Sequence, residues 1–297
     1  MISEKSRKRI AFYPTDFIGE VDCFGCATFG FAGETGAGHN VPRTFPIAPE
    51  GIEIYGAYEE CLHEVREIIR TETVFACIAL LGNAGNENLF CRRLHAILKC
   101  PVVGGGAAYS LSDQVSGRIS RGGEANLLLI TDQGYSLEVL SQNIHQHVIS
   151  YHKIEMTSSR VAERIDDIDA RTWFAQRKNE LGLHADDWEH LTLSDLNGVN
   201  THFHEDESQL VSGRELEEVM VLRYMKQEDV FRQMQMFYND ENALIFGCAG
   251  LKSLIRQELR TNALGLFMFG EVCYLNERAD FGNLMLSKIR FVQKADC

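Results

Sequence analysis

The order of apolar and polar positions along the chain predicts helices that alternate with buried strands. Residues 57–70 and 86–98 each place their apolar side chains on one helical face, so we predict two amphipathic helices. Residues 73–81 form a continuous, β-favouring apolar run, which is typical of a strand covered on both faces. Residues 101–103 then predict a short strand that leads into a glycine loop at residues 104–106.

The segments on either side of these elements carry strand and turn signals. Residues 21–30 are apolar and aromatic and are predicted to form a buried strand. Residues 31–51 are rich in glycine and proline and are predicted to form a loop. Residues 126–131 and 135–140 flank an Asp-Gln-Gly turn and predict a β-hairpin.

The second half of the chain continues the same alternation. An acidic, histidine-bearing segment that ends near residue 213 separates the first helix of this half from its other elements. The predicted elements are a helix over 167–181 that stops at Gly182, a strand over 216–225, a helix over 227–238, a strand over 243–246, a helix over 251–260, a strand over 264–269 and a terminal strand over 284–292.

One pattern recurs in both halves. The sequence Gly-Asn-Ala-Gly, which ends at Gly85, and the sequence Gly-Cys-Ala-Gly, which ends at Gly250, each lie between a predicted strand and a predicted helix. Gly85 is 24 residues before Tyr109, and Gly250 is 24 residues before Tyr274. The recurrence predicts duplication of one α/β unit. The alternative is that two ordinary units share the same turn chemistry.

These elements predict an α/β fold class with mixed sheets. We expect two pseudo-repeated α/β halves, residues 1–150 and residues 151–297, that face a shared cleft. The small residues of the two turns let a ligand approach the backbone closely. Free N–H groups at the helix starts favour an anionic group.

Composition narrows the class of protein. The 29 basic and 42 acidic side chains give a net charge of −13, which disfavours binding to nucleic acid or to an anionic membrane surface. No apolar run is long enough for a transmembrane helix, and no signal peptide is recognisable. Nine cysteines in a long chain are typical of free thiols in a reducing compartment. We therefore expect a cytoplasmic protein with no nucleic-acid or membrane partner.

Several nucleotide, redox and hydrolase patterns are incomplete or absent. Residues 33–38 are glycine-rich, but neither a P-loop Lys-Ser/Thr nor the helix of a dinucleotide fingerprint follows. Cys23 and Cys26 lie three residues apart in a predicted strand, so they point to opposite faces and are interpreted as buried thiols. No Gly-x-Ser-x-Gly elbow is present, and His63 lacks the second histidine of a zinc protease.

Two histidine pairs are candidates for holding a metal or a haem. His145 and His147 would share one strand face, as would His202 and His204, and an acidic run follows the second pair. Histidines with carboxylates can hold a divalent metal, and a haem needs one axial histidine. The alternative is that these histidines are solvated loop residues. No metal ligand is assigned, and the cofactor is left unknown.

A carboxyl group and a thiol follow the predicted strand over 264–269. Glu271 and Cys273 lie just past its end, where ligands bind in α/β sheets. Glu271 is interpreted as a ligand for an amine, a base, or a cap of the next turn. As a fixed charge opposite the glycines of residues 104–106, it favours a ligand with an ammonium group. No histidine is tied to Cys273, so a nucleophilic role is less favoured and no catalytic residue is assigned.

Five short motifs follow one another between residues 20 and 293. They are GCATFG at 25–30, PVVGGGA at 101–107, MT with IDDIDA within 156–170, ALIFGCAG at 243–250 and LGLFMFGEV at 264–272. In this order they resemble the motifs of the FIST domain family. Two features depart from the family pattern: the segment before the first motif is short, and Leu251 stands where the family has an arginine.

The resemblance implies an N-terminal FIST half over residues 1–150 and a C-terminal FIST half over residues 151–297. It also implies a sensory, small-ligand-binding role in intracellular signalling. The ligand-binding residues that it implies are Cys26, Thr28, Gly104, Gly105, Cys248, Gly270 and Glu271. The adjoining Gly106 and Cys273 complete the candidate set.

We expect, on this basis, a cytoplasmic protein that binds a small molecule and reports it to a signalling partner. Three alternatives stay open. The first is a thiol-dependent or metal-assisted enzyme that acts in the cleft, the second is a haem-binding gas sensor with a histidine ligand, and the third is a scaffold without a ligand.

Overall fold

The protein, described here as a computed structural model, is a mixed α/β molecule in which strands outnumber helices. The structure describes residues 8–14, 19–21, 24–28, 30–31, 43–47, 49–82, 85–108, 115–117, 124–184, 186–206, 209–240, 242–254, 259 and 264–294. The strands, in chain order, are β1 (Lys8–Pro14), β2 (Gly19–Val21), β3 (Gly25–Thr28), β4 (Gly30–Phe31), β5 (Arg43–Ile47), β6 (Gly51–Ala57), β7 (Ala76–Leu81), β8 (Val102–Gly106), β9 (Val115–Gly117), β10 (Glu124–Ile130), β11 (Tyr135–Asn143), β12 (His147–Ser158), β13 (Val161–Ile165), β14 (Ile168–Asp169), β15 (Leu191–Ser194), β16 (Asn200–Thr201), β17 (Phe203–Asp206), β18 (Gln209–Ser212), β19 (Val219–Tyr224), β20 (Ala243–Cys248), β21 (Leu264–Met268), β22 (Glu271–Leu275), β23 (Arg278–Gly282) and β24 (Met285–Gln293). The helices are α1 (Tyr58–Ile68), α2 (Glu87–Leu98), α3 (Ala170–Glu180), α4 (Gln227–Tyr238) and α5 (Ala249–Ser253), with a 3₁₀ turn at Trp188–His190.

Two sheets pack face to face at the centre of the fold, and helices cover their outer faces. The first sheet has the order β23-β22-β8-β7-β10-β6, and the second has the order β11-β24-β20-β21-β4. Helices α1 and α2 pack on the outer face of the first sheet, and α4 and α5 pack on the outer face of the second. The central part of the protein therefore has four layers: helices, sheet, sheet and helices.

Strand alternation explains why the central strands are apolar at every position. In β7, Cys77 and Ala79 face the helices, whereas Ile78 and Leu80 face the second sheet. All six residues of this strand are buried. The prediction of a strand covered on both faces is confirmed.

The space between the two sheets is apolar core in the part of the chain that the structure describes. Val103 and Leu128 of the first sheet share it with Phe246, Met268 and Ile289 of the second. A three-stranded sheet in the order β3-β1-β5 adds further apolar side chains to this core. The shared ligand cleft between the two halves stays a prediction.

The predicted repetition of element order is present. The first part of the chain contains α1-β7-α2-β8 and the last part contains α4-β20-α5-β21, and in each unit the two strands pair in parallel. Helix α5 is shorter than the predicted helix over 251–260, of which residues 255–258 and 260 lie outside the described residues. Tyr109 also lies outside them, so the superposition of the two units stays a prediction.

The prediction of a glycine loop at residues 104–106 was wrong. These residues belong to β8, which lies between β7 and β22. A Cβ atom on Gly104 would lie 1.9 Å from the carbonyl oxygen of Ala79, and one on Gly105 would lie 2.9 Å from Cβ of Met268. The glycines are therefore required by the close approach of β8 to its neighbours, not by a turn.

Two further predictions about the N-terminal part were wrong. Strands β10 and β11, predicted as a hairpin, belong to different sheets, because β10 pairs with β6 and β7 whereas β11 pairs with β24. Residues 43–47, predicted as part of a loop, form β5 and pair with β1. In both cases the strand is defined by a partner distant in sequence, which a local turn signal does not reveal.

A separate β-module, comprising β12 to β19 and α3, lies between β11 and α4 in the chain. Its sheet has the order β16-β15-β19-β12-β13-β18-β17, with β14 paired to β13. Trp173 and Phe174 of α3 lie at the centre of its own hydrophobic core. The helix ends before Gly182, as predicted, and this glycine has a φ of +69°. The histidine-bearing segment supplies strands β15 to β18.

Strands from the two predicted halves are exchanged between the central sheets. Strands β22 and β23, from the C-terminal part, complete the first sheet beside β8. Strand β11, from the N-terminal part, pairs with β24 in the second sheet. Each central sheet therefore contains chain from both sides of residue 150, and the division of the chain into two domains at that point stays a prediction.

Candidate functional site

Sheet pairing brings the predicted glycines and the predicted carboxyl group to one place. Strand β22 runs antiparallel to β8, so Glu271 lies directly opposite Gly105. The N–H group of Gly106 donates a hydrogen bond to the carbonyl oxygen of Gly270 at 3.0 Å. Gly270 has a φ of +108°, and a Cβ atom there would lie 2.7 Å from the ring of Phe281. The candidate residues that meet here are Gly104, Gly105, Gly106, Gly270 and Glu271.

Cys26 and Thr28 of β3 make the contacts of core residues. Cys26 is fully buried in the core between the two sheets, and this burial raises the pKa of its thiol. Thr28 is also fully buried, and its hydroxyl donates a hydrogen bond to the carbonyl oxygen of Phe267 at 2.7 Å. The hydroxyl therefore ties β3 to β21.

Glu271 is a carboxyl group with no exposure to solvent. Its Oε2 atom accepts a hydrogen bond from the N–H group of Met285 at 3.2 Å, and its Oε1 atom is buried with no hydrogen-bond partner among the described residues. Burial raises the pKa of this carboxyl well above its ordinary value, against smaller opposing effects of the Met285 N–H group and of a hydrogen bond with the Cys248 thiol. Burial therefore favours the neutral, protonated form of this carboxyl over the charged form that the sequence led us to expect.

Two buried thiols, Cys248 and Cys273, flank this carboxyl group. Cys248 ends β20 and lies within hydrogen-bonding reach of Glu271. Burial, followed by the neighbouring Glu271, raises the pKa of the Cys248 thiol, although backbone groups including that of Gly250 oppose the rise. Burial also raises the pKa of Cys273, whose Sγ lies 3.6 Å from the carbonyl oxygen of Glu271. Both sulfur atoms are therefore neutral thiols at pH 7.

Gly250 lies beside this group at a crowded position. A Cβ atom on Gly250 would be 2.9 Å from Cδ2 of Leu284, 3.5 Å from Nδ1 of His202 and 3.7 Å from Sγ of Cys248. Nδ1 of His202 is buried and has no hydrogen-bond partner among the described residues. Burial lowers the pKa of this imidazole, so it is neutral at pH 7. We refer to Glu271, Cys248 and His202 as the carboxyl–thiol–imidazole cluster.

His202 is the member of this cluster that the sequence did not predict. The sequence grouped it with His204 as a metal candidate, whereas the fold directs it from the β-module toward Cys248 of the second sheet. The N–H group of His202 donates to Oδ1 of Asn283 at 3.2 Å, which anchors the β-module to the chain between β23 and β24. The sequence gives no signal for this contact, because His202 and Cys248 are 46 positions apart in the chain.

The other histidine pair does not share a face. His145 is fully buried, and its pKa is lowered by burial to about 4. Its Nε2 donates to the carbonyl oxygen of Glu189 at 2.6 Å, and its Nδ1 accepts from the amide of Asn200 at 3.2 Å. His147 is exposed. Both ring nitrogens of His145 are thus occupied, and this histidine has none left for a haem iron.

Neither a metal cluster nor a disulfide is found in the described ranges. No three His, Cys, Asp or Glu side chains there come together so that they could hold a metal ion. Seven cysteines are free and buried: Cys26, Cys61, Cys77, Cys91, Cys100, Cys248 and Cys273. The remaining two, Cys23 and Cys297, lie outside the described residues.

Comparison with known proteins adds no family assignment. No protein-family model matches the chain, and no curated protein matches it significantly. The resemblance to the FIST domain therefore depends on the sequence motifs alone. Among the helices that the structure describes, none has both the length and the apolar composition needed to cross a membrane.

Proposed function

We propose that this protein is a small-ligand-binding sensory protein of the FIST type, and that its ligand binds at the carboxyl–thiol–imidazole cluster. The observation that carries the proposal is the buried Oε1 atom of Glu271, which has no hydrogen-bond partner among the described residues. An unsatisfied buried polar group costs about 1–3 kcal/mol, so each one calls for an explanation. A ligand that hydrogen-bonds to Oε1 removes this cost.

The protonation states of the cluster select the chemistry of the ligand. A neutral Glu271 carboxyl donates one hydrogen bond, and a neutral His202 imidazole offers either a donor or an acceptor at Nδ1. These groups favour an uncharged molecule with a carbonyl or amide group over an ammonium ion. The neutral thiol of Cys248 is a weak nucleophile, which favours binding over thiol catalysis.

The position of the cluster suggests how binding is reported. His202 comes from the β-module, whereas Glu271 and Cys248 come from the two central sheets. A ligand that contacts both would strengthen the attachment of the β-module to the central layers. A ligand shifts an equilibrium between two states only when it binds one of them more tightly. Here the favoured state is the one in which the β-module is firmly attached. We expect a partner protein to recognise this change.

Native mass spectrometry tests the site through a variant that adds a methyl group at Gly250. The protein is dialysed against a small-molecule filtrate of cell lysate, and the intact mass is compared before and after denaturation. Gly250→Ala adds a methyl group beside His202 and Cys248 that also presses against Leu284, so we expect the bound mass to be lost. Ser253→Ala, on the exposed side of the same helix, is the control and should keep it. Equal retention by both variants would contradict the site.

Two substitutions of Glu271 then show whether its carboxyl binds the ligand as a neutral hydrogen-bond donor or as a negative charge. Glu271→Gln keeps a hydrogen-bond donor, whereas Glu271→Met keeps only the shape. If the carboxyl donates as a neutral group, the Gln variant binds within a few-fold of wild type and the Met variant loses about 1–3 kcal/mol of binding free energy. Loss of binding in both variants would restore the interpretation of Glu271 as a charged partner of a cationic ligand.

A further inference from the structure

The β-module contains a serine, a histidine and an aspartate joined in one hydrogen-bonded series. Ser150 and His152 are two residues apart in β12, so their side chains lie on the same face of the strand. The Ser150 hydroxyl forms a hydrogen bond with Nε2 of His152. Nδ1 of the same imidazole lies 2.5 Å from Oδ2 of Asp166. This is the order of contacts that activates a serine hydroxyl in acyl-transfer enzymes.

The fold holds the aspartate and the histidine in this geometry. Asp166 and Asp167 form a tight turn after β13, with φ values of +48° and +64°. Oδ1 of Asp166 accepts from the N–H group of Lys153 at 3.1 Å, and the N–H group of Asp166 donates to the carbonyl oxygen of Lys153 at 3.1 Å. The ring of His152 packs edge-on against Trp173, with 4.5 Å between the ring centroids. The carboxylate and the imidazole are thus oriented by groups other than each other.

We propose that Ser150, His152 and Asp166 form a catalytic triad that hydrolyses esters. The Ser150 Oγ atom attacks the ester carbonyl carbon while its proton passes to Nε2 of His152. The bond from that carbon to the leaving oxygen then breaks, and the alcohol departs with the same proton. Water attacks the acyl-serine, with His152 taking its proton and returning it to Oγ, and the free acid is released.

A backbone donor lies next to the proposed nucleophile. The N–H group of Ile154 donates to the carbonyl oxygen of Glu218, the residue before β19. By alternation along β12, the N–H groups of Lys153 and Tyr151 therefore point to the opposite edge. At that edge the Lys153 N–H group donates to Asp166, and β13 does not extend as far as Tyr151. The Tyr151 N–H group directly follows Ser150, where it can donate to the developing oxyanion.

Two further features support a reactive position rather than ordinary strand packing. A β-bulge leaves Ile149 without a partner in β19, and bulges are over-represented beside active sites. The indole N–H of Trp173, in the ring that packs on His152, is buried with no acceptor among the described residues. An incoming substrate oxygen would supply that acceptor.

The charge of the protein bears on the class of substrate. The net charge of −13 disfavours anionic esters. We therefore expect uncharged esters. The triad lies on β12 and not on a strand-to-helix elbow, which is why no Gly-x-Ser-x-Gly motif marks it.

Covalent labelling of the full-length protein tests the nucleophile. The protein is treated with a fluorophosphonate probe, and the modified peptide is identified by mass spectrometry. We expect one labelled serine, Ser150, and no label in Ser150→Ala. Ser158→Ala, an exposed serine of the same strand, is the matched control and should label like wild type.

Hydrolysis of p-nitrophenyl butyrate tests the other two residues. Ser150→Ala, His152→Ala and Asp166→Asn should each lower kcat/KM by on the order of 10³-fold or more, with Ser158→Ala unchanged. Near-ultraviolet circular dichroism reports the packing of Trp173 and identifies any variant that has lost its fold. Probe labelling of Asp166→Asn then distinguishes a slow enzyme from an unfolded one. A wild-type protein that neither labels at Ser150 nor hydrolyses the ester faster than Ser150→Ala would overturn the proposal and leave the three residues as a structural hydrogen-bond network.

Discussion

The buried Glu271 carboxyl makes a specific prediction about how stability depends on pH. In the folded protein burial holds the pKa of this carboxyl well above its ordinary value, whereas in the unfolded chain the carboxyl is solvated. Below the ordinary value both states are protonated and the group has no effect on folding. As pH rises above it, the unfolded state loses its proton first, so folding becomes progressively less favourable until the folded pKa is reached.

The substitution Glu271→Gln removes this effect and keeps an oxygen to accept from Met285. The pH window lies between the pKa of the carboxyl in the unfolded chain and its pKa in the folded protein. Within it, each pH unit lowers the free energy of unfolding of the wild type by about 1.4 kcal/mol relative to the variant. Over two pH units inside the window the difference grows to about 2–3 kcal/mol. We therefore expect Glu271→Gln to gain stability relative to wild type as the pH is raised from about 5 to about 7.

Urea unfolding at a series of pH values measures this difference directly. The free energy of unfolding of the wild type is subtracted from that of Glu271→Gln at each pH, so that contributions from other titrating groups cancel. Glu155→Gln, at an exposed position of β12, is the control and should show a difference that does not change with pH. A flat difference for Glu271→Gln as well would show that this carboxyl ionises in the folded protein, and would refute its neutral state in the cluster.

Three further predictions concern other buried groups and are checked by urea unfolding. Gly104→Ala should cost more than about 3 kcal/mol, because its methyl group would overlap the carbonyl oxygen of Ala79. Arg214→Leu should cost about 3–5 kcal/mol, because it leaves the fully buried Asp195 without its cation. His145, with a pKa lowered to about 4, should make the wild type lose up to about 3 kcal/mol as pH falls from about 6.5 toward 4, and His145→Gln should reduce that loss.

The amphipathic helices and the buried central strands could be predicted from the sequence. Helix α4 spans the predicted residues 227–238, and its buried side chains include Val230, Met234 and Phe237. The continuous apolar run over 73–81 contains β7, and the terminal strand over 284–292 corresponds to β24. These elements depend on which face of a local helix or strand is apolar, and that periodicity is present in the sequence itself.

The partners of the strands could not be predicted in this way. The glycines at residues 104–106 carry the same local signal whether they form a turn or a crowded strand, and only β7 and β22 on either side show that they form a strand. The turn before Tyr135 resembles that of a hairpin, yet β11 is paired with β24 at the other end of the chain. Pairing over such distances is decided by the total burial of the packed sheets, which no local window contains.

The sequence by itself therefore determined the amphipathic helices and the buried central strands, and it singled out Glu271, Cys248 and the glycines near them. The tertiary structure decided what surrounds them: it buried Glu271, which raises the pKa of that carboxyl, and it brought His202 from a separate module to Gly250. It likewise joined Ser150 and His152 to Asp166, across a turn. Residue identity specifies which chemistry a side chain can perform, but its charge state and its partners depend on the low-dielectric surroundings and the distant chain that folding brings to it.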